Sequence, residues 1–124
     1  MLGSSELVAF VATTDIDRSL EFYRDTLGLS LVEESPFACV FDAHGTQLRV
    51  TPVAELITAP YTVLGWAVSD IVSTVRALDE AGVRFTRYPG MDQDDTGVWN
   101  APSGARVAWF CDPDGNVLSV TQAS

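Results

Sequence analysis

One stretch near the end of the chain decides the fold: Trp109-Phe110-Cys111-Asp112-Pro113-Asp114-Gly115-Asn116-Val117-Leu118-Ser119-Val120-Thr121-Gln122. Asp-Pro-Asp-Gly predicts a tight turn, because Pro presets one turn dihedral and Gly adopts a positive one. Strand-forming residues flank the turn at positions 107–110 and 117–121, so the stretch predicts a β-hairpin. Side chains alternate along a strand, which places Leu118 and Val120 on one face and Ser119 and Thr121 on the other. We therefore expect the residue at position 119 to bear on function.

Length and composition limit the possible classes of protein. At 124 residues the chain suits one domain, or two small modules that share a core. Its 47% hydrophobic and 19% charged residues are typical of a globular protein, and no apolar run is long enough to cross a bilayer. The N-terminus lacks the basic segment and apolar block of a secretory signal. Two cysteines, Cys39 and Cys111, do not make a disulfide framework, so buried reduced thiols and a cytoplasmic protein are predicted.

The formal net charge of the chain is −10 at pH 7. A protein that binds nucleic acid needs a basic face, so this charge argues against that class. The charge would suit a cationic ligand, although an acidic surface more often serves only solubility. We expect neither a nucleic-acid nor a membrane partner.

The first half of the chain predicts the element order β-α-β-β-β. Residues 7–12 predict a strand, and Thr14 or Asp15 can cap the helix that follows. One apolar stripe runs along this helix, formed by Ile16, Leu20, Tyr23 and Leu27. Gly28 ends the helix, and residues 29–32, 37–42 and 47–50 predict three further strands.

The same pattern is then repeated. A predicted strand at 63–68 leads to Ser69 or Asp70 as the helix cap, and Gly82 ends the second helix. Strands are predicted at 83–86, 107–110 and 117–121. Gly28 matches Gly82 at an offset of 54 residues, whereas Gly45 matches Gly115 at an offset of 70. The difference places 16 extra residues in the second copy, between positions 83 and 107.

The paired βαβββ units resemble the vicinal oxygen chelate superfamily, which includes glyoxalase I, extradiol dioxygenases, and fosfomycin- and bleomycin-resistance proteins. The resemblance covers about residues 7–122 and rests on three motifs: Asp15-Ile16-Asp17-Arg18-Ser19-Leu20-Glu21-Phe22-Tyr23, Leu27-Gly28-Leu29 and Asp112-Pro113-Asp114-Gly115-Asn116. It implies an α+β fold in which two βαβββ modules form cupped mixed β-sheets around a cleft, with the helices outside. We expect a single domain with modules at about 6–52 and 61–122 and a linker at 53–60.

The resemblance also implies where a metal would bind. Metal-dependent members usually place His or Glu at cleft-facing positions, which correspond here to Val8, Arg49, Val63 and Ser119. Two valines cannot ligate a metal, a neutral Ser is a poor ligand, and Arg repels a cation. We therefore predict no metal site, no other cofactor and no catalytic residue.

Two other sequence features could suggest a site. His44 is the only histidine and lies in a predicted turn, which favours a solvated loop residue over a catalytic base. Asp92-Gln93-Asp94-Asp95 lacks the ligand spacing of a calcium loop. It predicts either a solvated acidic loop or a negatively charged lid.

For three side chains the sequence allows either a structural or a ligand-binding role. Arg49 and Arg106 occupy strand positions from which a guanidinium can hold a carboxylate or phosphate, or pair with one of the many acids. Trp99 lies in the extra segment, where it can contact a ligand, a second subunit or only its own loop. Trp66 and Trp109 are predicted to lie in the core.

The function we prefer from the sequence is metal-independent binding of a small, partly aromatic molecule, such as sequestration of a toxic or antibiotic-like compound. The predicted ligand-binding residues are Phe10, Gln47, Arg49, Trp99, Arg106, Phe110, Ser119 and Thr121. The alternatives are a glyoxalase-like lyase or isomerase, or a dioxygenase, with atypical metal ligands, and a ligand-free dimeric interaction module. A homodimer is expected, because such sheets expose edges and apolar loop residues such as Leu56 and Ile57.

Overall fold

Each of the two helices begins directly after an aspartate that caps it. The computed structural model describes residues 1–124, and in it Asp15 Oδ1 accepts a hydrogen bond from Arg18 N and Asp70 Oδ1 accepts one from Ser73 N, both at 3.2 Å. Helix α1 spans Ile16–Glu21 and continues as a π-helical turn over Phe22–Thr26, whereas α2 spans Ile71–Glu80. The predicted helix starts are therefore confirmed, with the aspartate as the cap in both copies.

The chain divides into two compact units, Met1–Ile57 and Thr58–Ser124. The first unit begins with a short 3-10 turn at Leu2–Ser4 and contains strands β1 Val8–Thr13, β2 Ser30–Ser35, β3 Ala38–Ala43 and β4 Thr46–Pro52. They form one sheet in the order β1-β4-β3-β2, in which β1 and β4 are parallel and the other pairs antiparallel. Helix α1 and its π-helical turn cover one face of this sheet, where the Tyr23 ring packs against Phe41.

The second unit repeats this topology. Its strands are β5 Thr62–Ala67, β6 Trp99–Asn100, β7 Arg106–Cys111 and β8 Val117–Gln122. The sheet order is β5-β8-β7-β6, with β5 parallel to β8 and the other two pairs antiparallel. Helix α2 covers one face of this sheet and buries Ile71 and Val75. The predicted α+β fold of two βαβββ modules is confirmed.

The strand predicted at 83–86 is wrong. In this segment only Phe85 makes a bridge to β7, opposite Phe110, and Thr86 N donates a hydrogen bond to Trp109 O at 2.7 Å. The chain then leaves the sheet at Pro89-Gly90 and returns to the same edge of β7 as strand β6. Two short stretches, at residues 85–86 and at β6, therefore share this edge of β7, and neither forms a long strand.

The turn between β7 and β8 forms as the sequence predicts. Asp112 is buried and its Oδ1 accepts hydrogen bonds from Asp114 N at 3.0 Å and Asn116 N at 2.9 Å. Asn116 Nδ2 donates to Asp112 Oδ2 at 2.8 Å, and Gly115 has φ 90°. These hydrogen bonds stabilise the turn.

The two cysteines differ in their surroundings. Cys39 is buried, and burial raises the pKa of its thiol. Cys111 is exposed at the end of β7, so the prediction that both thiols are buried is wrong for Cys111. Its strand parity places it on the face that helix α2 does not cover. Both thiols are free.

Neither helix has both the length and the apolar composition needed to span a bilayer.

Candidate functional site

The first sheet has one face that helix α1 leaves uncovered. In the parallel β1–β4 pair, Val8 lies opposite Gln47 and Phe10 lies opposite Arg49, and directly paired residues point to the same face of a sheet. These four residues therefore share one face, which we call the first helix-free face. Phe10 is 64% exposed and Val8 is 38% exposed, although both belong to a regular strand. The face offers an aromatic ring, an amide and a guanidinium side by side.

The sequence allows two roles for Arg49, an internal ion pair or a contact with a ligand. The structure gives it no ion-pair partner within 4.0 Å, and its side chain is half-buried. The ion-pair alternative thus has no support within the chain. A half-buried guanidinium of this kind can hold a carboxylate in two-pronged fashion or stack on an aromatic ring.

The second sheet has a corresponding face that helix α2 leaves uncovered. Across β7 and β8, Trp109 pairs with Ser119 and Val107 pairs with Thr121, while Trp99 in β6 pairs with Val107. We call the surface they share the second helix-free face, formed by Gly65, Trp99, Trp109, Ser119 and Thr121.

Three aromatic rings pack together at this face. The ring centroids of Trp99 and Trp109 are 6.1 Å apart, and Tyr88 meets Trp109 edge to face at 5.4 Å. Burial raises the pKa of the Tyr88 hydroxyl, and the nearby Cys111 thiol adds to this shift. Tyr88 therefore stays protonated near neutral pH and can donate a hydrogen bond. The cluster offers aromatic surface to a planar ligand.

Ser119 lies beside this aromatic cluster, and its neighbour on the other side is Gly65. The two residues are register partners in the parallel β5–β8 pair. A Cβ atom at position 65 would lie 2.9 Å from Ser119 Oγ, which is closer than ordinary contact. The Ser119 residue is 7% exposed, and its hydroxyl has no hydrogen-bond partner within the chain. The absence of a side chain at Gly65 therefore keeps space around a hydroxyl that can serve a ligand.

Two of the predicted ligand-binding residues lie on the opposite face of the second sheet. Phe110 pairs with Leu118, is 1% exposed, and packs edge to face against Phe85 at 5.7 Å. Arg106 pairs with Gln122, whose side-chain oxygen accepts a hydrogen bond from Ile71 N at the start of α2. The structure therefore does not bring Phe110 and Arg106 together with Ser119, and we leave both out of the candidate site.

Two members of the aromatic cluster were not predicted to bind a ligand. Trp109 was predicted to lie in the core, whereas it pairs with Ser119 on the second helix-free face and its side chain is half-buried. The hairpin register carried this information, because the partner of Ser119 necessarily shares its face. Tyr88 lies in the irregular extra segment, where no periodicity could have indicated its direction.

The residues present do not fit a metal. Val8 and Arg49 occupy the first helix-free face, while Ser119 lies on the second and Val63 in β5 beside it. These side chains supply no carboxylate, imidazole or thiolate. No group of three or more His, Cys, Asp or Glu residues is placed to hold a metal ion. His44, with φ 50°, sits beside Gly45 in the exposed turn between β3 and β4, as the sequence predicts.

A sequence model of the Glyoxalase/Bleomycin resistance protein/Dioxygenase superfamily matches residues 7–120. The chain belongs to this superfamily. The resemblance seen in the two βαβββ units is thus confirmed over nearly the whole chain. Superfamily membership does not decide the chemistry, which depends on the residues of the site.

Two curated proteins are similar in sequence. The uncharacterized protein YraH of Bacillus subtilis (strain 168) is 30% identical over 121 residues, covering 86% of this chain and 88% of YraH. A probable lactoylglutathione lyase of Synechocystis sp. (strain ATCC 27184 / PCC 6803 / Kazusa) is 28% identical, with 95% of both chains covered. Both matches cover most of each chain.

Solved structures share the fold of this chain. Lactoylglutathione lyase from Agrobacterium tumefaciens has a TM-score of 0.74 at 17% identity, covering 96% of this chain and 93% of its own. TioX from Micromonospora sp. ML1 also has a TM-score of 0.74, at 19% identity, and covers 98% of this chain and 100% of its own. At such identities the comparison establishes the fold and nothing finer.

Proposed function

We propose that this protein is a metal-independent small-molecule-binding member of the superfamily, with its two helix-free faces as the ligand surfaces. One observation carries the proposal: Phe10 and Arg49 are register partners on the first helix-free face, and Arg49 has no ion-pair partner. An exposed ring beside an unpaired guanidinium suits an aromatic ligand that carries an acidic or strongly polar group. Sequestration of a toxic or antibiotic-like compound is the role we infer for such binding.

The second helix-free face supports the same class of ligand. Trp99 and Trp109 provide stacking surface, and the Ser119 and Thr121 hydroxyls provide polar contacts. Ligand pockets in proteins commonly combine much apolar surface with a few such polar groups. Phe10, Gln47, Arg49, Trp99, Trp109, Ser119 and Thr121 are the residues we assign to ligand binding.

An enzymatic role is the second candidate, because one relative is named a probable lactoylglutathione lyase. A lyase of this superfamily that depends on metal would need ligands that Val8, Arg49, Val63 and Ser119 do not supply. The two candidates therefore predict opposite results in the presence of metal. A binding protein binds its ligand equally well with or without a chelator, whereas a metal-dependent lyase loses activity.

Arg49→Ala tests the proposal directly. Native mass spectrometry of the protein as purified, followed by a screen of aromatic acids, would provide a ligand for calorimetry. Arg49→Ala should then weaken binding by about 1.5–3 kcal/mol, the usual worth of a charge-assisted hydrogen bond, and should leave the melting temperature close to that of the wild type.

The matched control is Arg18→Ala, which removes the same charge from helix α1 rather than from the first helix-free face. This variant should bind the ligand as the wild type does. Unchanged affinity in Arg49→Ala, together with a large loss of stability, would show that Arg49 is structural and would end the proposal for this residue.

A further inference from the structure

A pocket lies within the Thr58–Ser124 unit, between helix α2 and the extra segment of the second repeat. Its volume is about 460 Å³, which falls in the range of small-molecule sites. The residues that line it are Val72, Val75, Arg76, Asp79, Arg84, Phe85, Arg87, Asp95 and Thr96. None of them belongs to the two helix-free faces, so the pocket is distinct from the site proposed above.

One wall of the pocket is a single stripe of helix α2. Positions 72, 75, 76 and 79 follow the i, i+3, i+4, i+7 spacing of residues on one side of a helix. Val75 is buried in the core below, whereas Val72 is 47% exposed and Arg76 is exposed. This wall therefore offers apolar surface next to a cation. Phe85, which packs on Phe110, adds an aromatic ring on the opposite side.

The other wall is held in shape by the side chain of Gln93. Its amide nitrogen donates to Thr86 O and Gly97 O, both at 2.9 Å, and its oxygen accepts from Tyr88 N at 2.7 Å. Both N–H groups of this amide and one lone pair of its oxygen are thus used in hydrogen bonds within the segment. The wall is ordered without a ligand, which lowers the entropic cost of binding one.

Asp94 fixes the turn that follows. Its Oδ1 accepts from Thr96 Oγ1 at 2.6 Å, Thr96 N at 2.9 Å and Val98 N at 3.0 Å. Burial opposes ionisation of this carboxyl, but these hydrogen bonds and the charge of Arg106 outweigh it and hold the pKa of Asp94 below its ordinary value. Asp94 is therefore occupied by the turn, and of the acidic residues 92–95 only Asp95 lines the pocket.

The pocket concentrates positive charge in an acidic protein. All seven basic residues of the chain are arginines, and three of them, Arg76, Arg84 and Arg87, line this pocket. Only two carboxylates, Asp79 and Asp95, oppose them, although the whole chain carries a net charge of −10. Three fixed cations against two anions leave an excess positive charge there, which attracts an anion.

The arginines are also available for a ligand. Arg76 and Arg84 have no ion-pair partner within 4.0 Å, and Arg87 makes only one hydrogen bond, from Nη1 to Gln93 O at 3.3 Å. A guanidinium with free N–H groups matches the oxygens of a carboxylate or phosphate.

We propose that this pocket binds a small organic anion that carries an apolar group, such as an aryl phosphate or an aryl carboxylate. The arginines bind the acidic group, and Val72 and Phe85 contact the apolar part. Both kinds of anion share the chemistry that the pocket recognises, so the test includes one of each.

Phenyl phosphate and phenylacetate are the probes, with neutral benzyl alcohol as the comparison ligand. Each probe is titrated into the protein and the amide NMR resonances are followed. Both anions should shift the resonances of α2 and of residues 84–87 and 95–96, and the anion with the lower Kd is then used with the variants. Arg76→Gln and Arg84→Gln should each raise that Kd about tenfold, since each removes a charge-assisted hydrogen bond. Arg84→Lys keeps the charge without the two-pronged geometry and should give an intermediate value.

Arg24→Gln is the matched control, because it lowers the net charge equally but acts on a surface arginine paired with Asp25 in the other unit. Its Kd should change less than twofold. The three substituted arginines are all exposed, and similar melting temperatures would show that the variants fold. The proposal is overturned if benzyl alcohol binds as tightly as both anions, if neither anion shifts these resonances, or if Arg24→Gln weakens binding as much as Arg84→Gln.

Discussion

Gly65 and Ser119 are register partners in the β5–β8 pair, and the glycine leaves the space in which the serine hydroxyl sits. A Cβ at position 65 would approach Ser119 Oγ to 2.9 Å. The atom it meets is the end of a short side chain that can rotate, not backbone. The close approach therefore governs the direction of one hydroxyl rather than the integrity of the sheet.

We predict that Gly65→Ala folds normally but weakens ligand binding. The new methyl group turns the Ser119 hydroxyl away, so the variant should lose about 0.5–1.5 kcal/mol of affinity, the worth of one hydrogen bond. Calorimetry on Gly65→Ala, Ser119→Ala and the double variant measures this. If the glycine acts through the hydroxyl, the double variant should be no weaker than Ser119→Ala. Additive losses would contradict the explanation.

A second prediction is that the protein carries no stoichiometric divalent metal. Val8, Val63 and Ser119 stand where metal-dependent members are expected to place ligands, and no alternative cluster exists in the chain. A true site would stabilise the fold by about 3 kcal/mol at a hundredfold excess of metal over its Kd. Elemental analysis should be run on protein purified without a histidine tag, which would itself bind metal. Near one zinc, nickel, iron or manganese per chain would refute the prediction.

A third prediction separates the two faces of the second sheet. Phe110 is 1% exposed and packs on Phe85, so Phe110→Ala should cost about 3–5 kcal/mol of unfolding free energy. Trp99 is only half-buried on the second helix-free face, so Trp99→Ala should cost less stability and should instead reduce affinity and ligand-dependent fluorescence quenching. Denaturant unfolding and ligand titration on both variants decide the matter. A Phe110→Ala protein of normal stability would contradict the assignment of Phe110 to the core.

A fourth prediction is that the protein forms a homodimer. Strand β1 lies at an open edge of its sheet, and Ile57 after β4 is 97% exposed; proteins usually cover such edges and apolar side chains. Light scattering over a micromolar dilution series should give twice the chain mass. Ile57→Asp should shift the equilibrium towards monomer, whereas Leu2→Asp, at another exposed apolar position in the N-terminal turn, should not. A constant monomer mass for the wild type would exclude the dimer.

The repeated topology was accessible from the sequence because it depends on local signals. Asp15 and Asp70 cap helices whose ends are marked by glycines with positive φ, Gly28 and Gly82. Such caps act within one turn of the helix, so they need no knowledge of tertiary structure. The hairpin around Gly115 has the same local character. Matching these signals between the two halves was enough to predict two βαβββ modules.

The choice of site residues depends on how strands β7 and β8 pair, not on a signal within one element. Phe110 and Arg106 share a face in the structure, as their parity predicts, but Ser119 lies on the other face. Which residue of β7 meets Ser119 depends on the hairpin register, and a shift of one residue exchanges the faces. Without this constraint, the sequence does not separate Phe110 from Ser119. The strand predicted at 83–86 is wrong for another reason. The extra segment supplies strand β6, Trp99–Asn100, which pairs with the same edge of β7.

The hydrogen bonds of Gln93 have a consequence for how the second repeat can vary. They join Thr86 and Tyr88 to Gly97, so residues 86–97 are closed by hydrogen bonds within the segment itself. A loop whose conformation is held by its own hydrogen bonds can be exchanged as a unit while the strands on either side keep their pairing. Grafting residues 86–97 with Gln93 intact should therefore transfer one wall of the pocket beside helix α2 to another member of the superfamily. The same graft with Gln93→Ala should lack a defined conformation.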